Sequence, residues 1–312
     1  MQMIQMVLST LVQVIVPISI PVIVGVLLRK FKNLDTKPLL TLYLYVLSPA
    51  ILLDTLLTAD ISLDDIYRTG AFSILNLLLL WGVAYIVGKL LKLPSPECAG
   101  LTLVATFTNS VNYGLPLVLL TLGQLGLDKA SVYVVGQMII VNTIGVYFAA
   151  RSQFSTRDAI KSVFRLPAVY AALVAILLRT CDLHLPVGVA SGVSMVADAY
   201  APVVLTILGA QMASVNNAEL DRSTQKAFWA GLGIRLLLSP IIARFVLYIL
   251  HVEGVLFSVL LILASMPVAV NAVVLSDKFN ASPKFVSKCI LWTTLGSFII
   301  LPIIIVLVEY DY

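Results

Sequence analysis

Two apolar segments of this chain are each interrupted by polar and helix-breaking residues, and these interruptions decide the fold. The first interruption reads Asn109-Ser-Val-Asn112-Tyr-Gly114-Leu-Pro116, and the second reads Ser265-Met-Pro267-Val-Ala-Val-Asn271. An unsatisfied backbone polar group in lipid costs several kcal/mol, so a broken helix persists only where protein or water surrounds the break. Interruptions at matching places in two halves of a chain therefore predict a ligand site between the halves.

The composition indicates a membrane protein. Of the 312 residues, 60% are hydrophobic and 12% are charged, whereas soluble domains carry about 25% charged residues. We predict an all-α polytopic membrane protein and no nucleic-acid partner, although the net charge is +4. The three cysteines lie far apart and predict neither a metal site nor a disulfide framework. The first residues lack a basic segment, so we expect no cleavable signal peptide.

Ten apolar segments are candidates for crossing a bilayer, which takes about 20 residues. They cover residues 6–28, 39–57, 70–90, 99–122, 131–150, 166–180, 187–213, 227–250, 254–276 and 286–308. The two interruptions fall in the fourth and the ninth of these predicted spans.

Basic residues set the expected orientation. Fifteen of the twenty Lys and Arg residues fall in one set of alternate connections, and only three fall in the opposite set. Because cytoplasmic loops carry an excess of Lys and Arg, the first set is predicted to be cytoplasmic. We therefore expect a multi-pass protein of the plasma membrane with both termini on the outer side.

The two halves of the chain resemble each other. Three prolines recur at offsets of 150, 153 and 151 residues: Pro17 and Pro167, Pro49 and Pro202, Pro116 and Pro267. Each half holds five predicted spans, so the second half enters the membrane from the opposite side and forms an inverted repeat. We predict a first five-helix repeat over residues 1–150, a cytoplasmic connection over 151–165 and a second five-helix repeat over 166–312.

The residues around the interruptions resemble the signatures of the auxin efflux carrier family. Residues 106–116 resemble its fourth-span signature, and residues 264–275 resemble the ninth-span signature of its bacterial members. Residues 135–137 and 234–240 are also similar, and the resemblance covers essentially the whole chain. The long cytoplasmic loop of the plant members is absent.

This resemblance implies an architecture and a substrate class. Spans 1, 2, 6 and 7 would form a scaffold, and spans 3–5 and 8–10 would form a mobile transport domain in which broken spans 4 and 9 cross. The implied substrates are organic anions, namely auxin-like weak acids in plant members and malate or malonate in bacterial members. A homodimer through the scaffold helices is a further expectation.

The chemistry of the interruptions favours an anion. A broken helix presents backbone N–H groups and the positive end of a helix dipole, and Asn side chains add neutral donors. The predicted substrate-binding residues are Asn109, Ser110, Asn112, Gly114, Pro116, Gln137, Pro267 and Asn271. Hydrogen bonding between helices is the alternative role for the asparagines. Gln137, which matches a family glutamine, stays open between the two roles.

Ionisable residues within spans are functional candidates by default. Arg235 is predicted to attract an anion or pair with a carboxylate, or alternatively to reach the cytoplasmic interface. Asp198 is a candidate proton-coupling group, or alternatively caps a helix break. Asp64 and Arg68 resemble an acidic–basic pair of plant members, and a solvated surface pair is the alternative.

These observations predict a secondary transporter that moves small organic anions by alternating access, without a cofactor or metal. An enzyme is not expected, because His184 and His251 lack a nucleophile or metal partners at useful spacing. One alternative is a sodium- or proton-coupled symporter or antiporter of another substrate class, which would need a carboxylate at the interruptions. A non-transporting membrane sensor is the other alternative. The coupling ion stays open, since Thr106, Thr108, Ser110 and Ser265 offer oxygen ligands for sodium.

Overall fold

The computed structural model describes residues 12, 16–58, 62–140, 144–145, 148, 167–214 and 221–310. Within these ranges the regular elements are helices, and the only β-type pairing is one isolated bridge. The helices are α1 (Val16–Lys32), α2 (Thr36–Thr58), α3 (Leu63–Leu90), α4 (Ser95–Thr106), α5 (Leu115–Ile140), α6 (Pro167–Thr180), α7 (Val187–Ala213), α8 (Arg222–Ile249), α9 (Gly254–Ala264), α10 (Asn271–Lys278) and α11 (Pro283–Tyr310).

Six helical stretches in the described ranges are long and apolar enough to cross a bilayer: Thr36–Thr58, Leu63–Leu90, Ser110–Met138, Val187–Ala213, Arg222–Ile249 and Pro283–Val308. The prediction of an all-helical polytopic membrane protein is thereby confirmed. Parts of the first, fifth and sixth predicted spans, and the connection 151–165, lie outside the described residues.

The boundary between the fourth and fifth predicted spans differs from the prediction. Residues 123–130 were expected in a connection, but α5 is non-helical only at Gly123, where φ is 65° and ψ is −159°. Glycine adopts such a positive φ without a steric penalty, so the chain turns at one residue and the helix resumes directly. Lys129 is therefore helical, and its Nζ lies 2.7 Å from the Asp65 carboxylate in the first turn of α3.

Each of the ranges 36–58, 110–138 and 222–249 contains one widened turn with π-helical geometry: Tyr43–Leu47, Ser110–Gly114 and Ile234–Leu238. Each turn ends two residues before a proline, namely Pro49, Pro116 or Pro240. Proline lacks an N–H, and its ring clashes with the carbonyl four residues earlier. An extra residue in the preceding turn is a known adjustment of helices, frequent at functional sites. Asn112 and Arg235 both lie in these widened turns.

α1 and α7 pack along each other, and α2 packs against α6 and the first half of α7. Glycines allow the backbones of α1 and α7 to touch. A Cβ on Gly25 would lie 2.0 Å from the Thr206 carbonyl oxygen, and one on Gly209 would lie 1.9 Å from that of Val22. Neither position can accept a side chain without moving a helix.

A second set of contacts joins the remaining helices. α3 packs against α4, α5 and the second half of α8, and α9 packs against α5. α11 packs against α4, α8 and α10. The two interruptions lie within this second set of helices.

Candidate functional site

The two interruptions cross and hydrogen-bond to each other. The backbone N–H of Asn109 donates to the Pro267 carbonyl at 2.8 Å, and that of Ala269 donates to the Phe107 carbonyl at 2.9 Å. Between these bonds, Thr108 and Val268 face each other as an antiparallel pair. Each interruption thus satisfies backbone groups that the other has released from its helix, as the interior of a membrane requires.

Thr293 of α11 stabilises the crossing by a hydrogen bond to the second interruption. The backbone N–H of Val268 donates to the Thr293 hydroxyl at 3.2 Å. The same hydroxyl donates to the Cys289 carbonyl at 2.7 Å, within its own helix. Sequence reasoning missed this residue, and the available signal was the polar pair Thr293-Thr294 within an otherwise apolar span.

A cavity of about 40 Å³ lies beside the crossing. Its polar lining consists of Thr108, Asn109, Ser110, Asn112, Gln137 and Asn271, together with the phenol of Tyr43. Five of the predicted substrate-binding residues, which come from three separate parts of the sequence, therefore meet at one place.

The other three predicted substrate-binding residues do not line this cavity. A Cβ on Gly114 would lie 2.6 Å from the Leu263 Cδ2 atom, so this glycine permits close packing against α9. Pro116 follows the widened turn Ser110–Gly114, and the Pro267 carbonyl accepts the Asn109 N–H. In this structure the three residues shape the interruptions and do not form the cavity wall.

Apart from Thr108 Oγ1, which interacts with the Tyr133 hydroxyl, four buried side-chain atoms at the cavity have no hydrogen-bond partner: Asn109 Nδ2, Ser110 Oγ, Asn112 Oδ1 and Gln137 Oε1. The residues that carry them are 3%, 0%, 9% and 7% exposed, in that order. A buried polar atom without a partner costs about 1–3 kcal/mol. Such a cluster around one cavity is suited to a polar ligand that supplies the missing partners.

The backbone adds positive potential to this cavity. The turn that begins at Ser110 and helix α10, which begins at Asn271, both present their N-terminal ends to it. Neither end has a side-chain cap, and the first N–H groups of a helix lack partners within the helix. No carboxylate occurs among the described residues that line the cavity. The site can therefore donate hydrogen bonds to an anion.

The side chain of Gln137 is held in place by a hydrogen bond within α5. Its Nε2 donates to the Tyr133 hydroxyl at 2.9 Å, which orients the amide. Tyr133 is fully buried and interacts electrostatically with Arg235. Gln137 is thus the link between the cavity and a buried cation.

Arg235 is buried and hydrogen-bonded within the protein. It is 0% exposed, and it donates to the Ala105 carbonyl at 2.9 Å as well as to the Ala264 carbonyl and the Ser239 hydroxyl. Among the described residues no carboxylate pairs with Arg235, and its full burial differs from the alternative of a side chain that reaches the cytoplasmic interface. Its attraction of an anion stays a prediction. Sequence reasoning considered only side-chain partners, whereas two of the three acceptors are backbone carbonyls.

Asp198 does not line the cavity at the crossing. It is exposed at the end of the first half of α7, where the helix bends at Ala199, and it interacts electrostatically with Asp54 of α2. Asp64 and Arg68 form an ion pair of 2.6 Å one helical turn apart on the surface of α3, which is the alternative that the sequence offered. Asn142 of the fifth predicted span, for which the sequence favours a structural role, lies outside the described residues.

Two tyrosines that sequence reasoning missed bring α2 and α7 to the crossing. Tyr43 lines the cavity, and its ring centroid lies 6.2 Å from that of Tyr200. The Tyr200 hydroxyl donates to the Val111 carbonyl at 2.9 Å. Each tyrosine lies within six residues of a repeated proline, Pro49 or Pro202, and this spacing was the available signal.

Other described residues line two larger cavities. One of about 680 Å³ is mostly apolar and lies between α2, α3, α5 and α6. Another of about 430 Å³ is lined by charged residues that include Asp54, Arg179 and Asp182. Neither contains a predicted substrate-binding residue, so the small cavity at the crossing remains the candidate site.

Comparisons with known proteins agree with a transport function. The sequence pattern of a family described as "Membrane transport protein" matches residues 6–305. An uncharacterized transporter of Methanothermobacter thermautotrophicus is 28% identical over 296 residues, which cover 93% of this chain and 96% of that protein. An uncharacterized transporter of Methanocaldococcus jannaschii is 24% identical over 226 residues, which cover 70% of this chain and 71% of that protein. The chain belongs to the membrane transport protein family, which is the auxin efflux carrier-like family that its interruptions predicted, and it is a multi-pass transport protein and not an enzyme.

Proposed function

We propose that the protein is a secondary transporter that binds small organic anions at the crossing of its two interruptions and moves them by alternating access. One observation carries the proposal: four unpartnered buried polar atoms and two uncapped helix N-termini meet at one cavity. Amide, hydroxyl and backbone donors suit a carboxylate. Carboxylates such as malate, malonate or auxin-like weak acids are the proposed substrates.

The proposed architecture has ten transmembrane helices in two inverted five-helix repeats, 1–150 and 166–312, joined by the cytoplasmic connection 151–165. The separate packing of α1, α2, α6 and α7 supports their role as the scaffold. The helices that carry the crossing, with their neighbours, would form the transport domain. Both termini are proposed to face outward, and the scaffold is the proposed surface for a homodimer.

The size of the cavity bears on how the transporter works. A volume of about 40 Å³ has room for a few water molecules, while pockets for organic ligands measure about 300–1,000 Å³. Malate therefore requires an opening of the site. The contacts of Tyr43 and Tyr200 with the crossing mark where α2 and α7 would separate from it.

The rival functions make different demands on the site. A carrier of cations needs negative groups around its substrate, and the described lining contains no carboxylate. A membrane sensor on the same fold would bind a ligand without moving it. Transport of an anion therefore separates the proposal from both rivals.

Counterflow in proteoliposomes provides the test. Vesicles containing purified protein are loaded with unlabelled malate, malonate, pyruvate or indole-3-acetate, and uptake of the same labelled anion is followed. Choline is the cation control, and protein-free vesicles are the blank. We expect transient accumulation of at least one anion and none of choline. Accumulation of choline alone, or of no compound, would overturn the proposal.

A further inference from the structure

Arg235 bonds to both interrupted spans and does not line the cavity. Its guanidinium donates to the carbonyl of Ala105, in the last turn of α4, and to that of Ala264, the last residue of α9. The last four carbonyls of a helix have no partner within the helix. One side chain on α8 thus caps the C-terminal ends of both half-helices that lead into the crossing.

The charge of Arg235 is balanced by these helix ends. No carboxylate among the described residues pairs with it, and its remaining acceptor is the neutral hydroxyl of Ser239. A helix C-terminus carries about half a negative charge, so the ends of α4 and α9 together approach one unit charge. The widened turn Ile234–Leu238, which precedes Pro240, places the guanidinium at this position.

Half-helix C-terminal ends and unwound carbonyls are the groups that coordinate coupling cations in carriers with broken helices. Two hydroxyls near these ends donate elsewhere: Thr106 Oγ1 donates to the Thr102 carbonyl at 2.7 Å, and Ser265 Oγ donates to the Leu261 carbonyl at 2.7 Å. The Ser239 hydroxyl donates to the Ala264 carbonyl at 3.0 Å. The guanidinium is the cationic group that donates to both the Ala105 and the Ala264 carbonyls.

We propose that Arg235 is a built-in counter-cation that occupies the place of a coupling sodium ion at the crossing. The C-terminal ends of the half-helices are neutralised within the protein, while their N-terminal counterparts at Ser110 and Asn271 keep their positive potential for the substrate. Wild-type protein accordingly needs no sodium at this position. Removal of the guanidinium charge exposes the two carbonyls and creates a sodium site. The consequence for transport rests on the proposed function, but the sodium site does not.

The test measures thermal unfolding of detergent-purified protein during a titration with sodium chloride, with choline chloride at equal ionic strength as the blank. Arg235→Gln removes the charge, and Arg235→Lys is the matched control that keeps it. Arg235→Gln is expected to unfold at a lower temperature and to regain roughly 3 °C or more in a saturable, sodium-specific manner. Wild type and Arg235→Lys are expected to respond equally to both salts.

Two results would overturn the inference: a saturable sodium response of the wild type, or a folded Arg235→Gln variant that ignores sodium. If Arg235→Gln does not fold, the sodium titrations of the wild type and of Ser239→Ala still test the inference. Ser239→Ala keeps the charge of Arg235 and is expected to stay insensitive to sodium. These readouts need no substrate. A protein that moves no organic anion would therefore refute the proposed function and leave this inference standing.

Discussion

At the scale of single residues, the contact between α1 and α7 depends on two glycines. A Cβ on Gly209 would lie 1.9 Å from the Val22 carbonyl oxygen, which is a backbone atom and cannot rotate away. Gly25 meets the Thr206 carbonyl in the same way from the other helix. Side chains at these positions would push apart two helices of the proposed scaffold.

We therefore predict that Gly209→Ala destabilises the protein. Overpacking of a tight site costs about 1–3 kcal/mol, which corresponds to several degrees in the unfolding midpoint of a chain of this size. Thermal unfolding in detergent measures the effect. Gly192→Ala is the matched control, because a Cβ on that residue of the same helix meets nothing within 4 Å. Equal midpoints for the two variants would contradict the tight contact.

The sequence predicted some residues of the site and not others. Asn109, Asn112 and Asn271 were predictable because an amide in an apolar span is conspicuous, and each lies within seven residues of Pro116 or Pro267. Tyr43 and Tyr133 were not, because a tyrosine in a span has an ordinary structural role and its partner lies on another helix. Arg235 was recognised as unusual, but its partners could not be predicted. Two of them are backbone carbonyls, which every residue has.

At the scale of elements, each interruption separates two helix ends with different roles: the C-terminal end of the helix before it and the N-terminal end of the helix after it. The C-terminal ends of α4 and α9 meet at Arg235, and the N-terminal ends beyond the interruptions meet at the cavity. Backbone pairing between residues 107–109 and 267–269 holds the two arrangements together. The crossing therefore has a neutralised side and a positive side.

The pairing of the two interruptions predicts that a disulfide can be engineered between them. Thr108 and Val268 face each other between the two flanking hydrogen bonds, and such a pair has Cα atoms about 4.5 Å apart, within the range of a disulfide. Thr108→Cys with Val268→Cys, in a background in which Cys98, Cys181 and Cys289 are alanine, is expected to oxidise readily. Loss of thiol labelling and mass spectrometry measure the bond.

The control for this disulfide is Thr106→Cys with Val268→Cys, which lies two residues out of register. It is expected to stay largely reduced under the same oxidant. Equal oxidation of both pairs, or of neither, would contradict the pairing of the interruptions.

The existence of the interruptions could be predicted, and the details of the elements could not. Asn109 to Pro116 combines amides, a glycine and a proline, which cannot continue a regular helix. The restart of the helix directly after Gly123 was missed, because the charged residues Asp128 and Lys129 suggested a connection. Their charges are accommodated by Gln124, whose Nε2 lies 3.0 Å from Asp128, and by Asp65, which pairs with Lys129.

At the scale of the whole molecule, the candidate site lies where two sets of packed helices meet. Tyr43 and Tyr200 come from α2 and α7, and the interruptions come from the other set. Alternating access requires one set to move relative to the other, and the bond from Tyr200 to the Val111 carbonyl is one that such a movement would break. The small cavity is consistent with a closed form of the site.

The global arrangement was only partly accessible from the sequence. Proline offsets between the halves, such as that from Pro116 to Pro267, predicted that the interruptions correspond. They could not predict which helices pack together, because spans that are apolar on every face carry no pattern that selects a neighbour. The close contact at Gly25 and Gly209 illustrates this, since neither glycine stands out within its span.

The most direct measurement is the concentration of anion that half-saturates counterflow, compared between wild type, Asn109→Ala and Asn76→Ala. Asn109 Nδ2 is an unpartnered donor at the cavity, whereas Asn76 is an equally buried asparagine of α3 that does not line it. A hydrogen bond to a charged group contributes about 1.5–3 kcal/mol, so Asn109→Ala is expected to raise this concentration about 10- to 100-fold. Asn76→Ala is expected to leave it within about twofold, in keeping with a contribution well below 1 kcal/mol. An unchanged value for Asn109→Ala, or equal increases for both variants, would contradict a substrate site at the crossing.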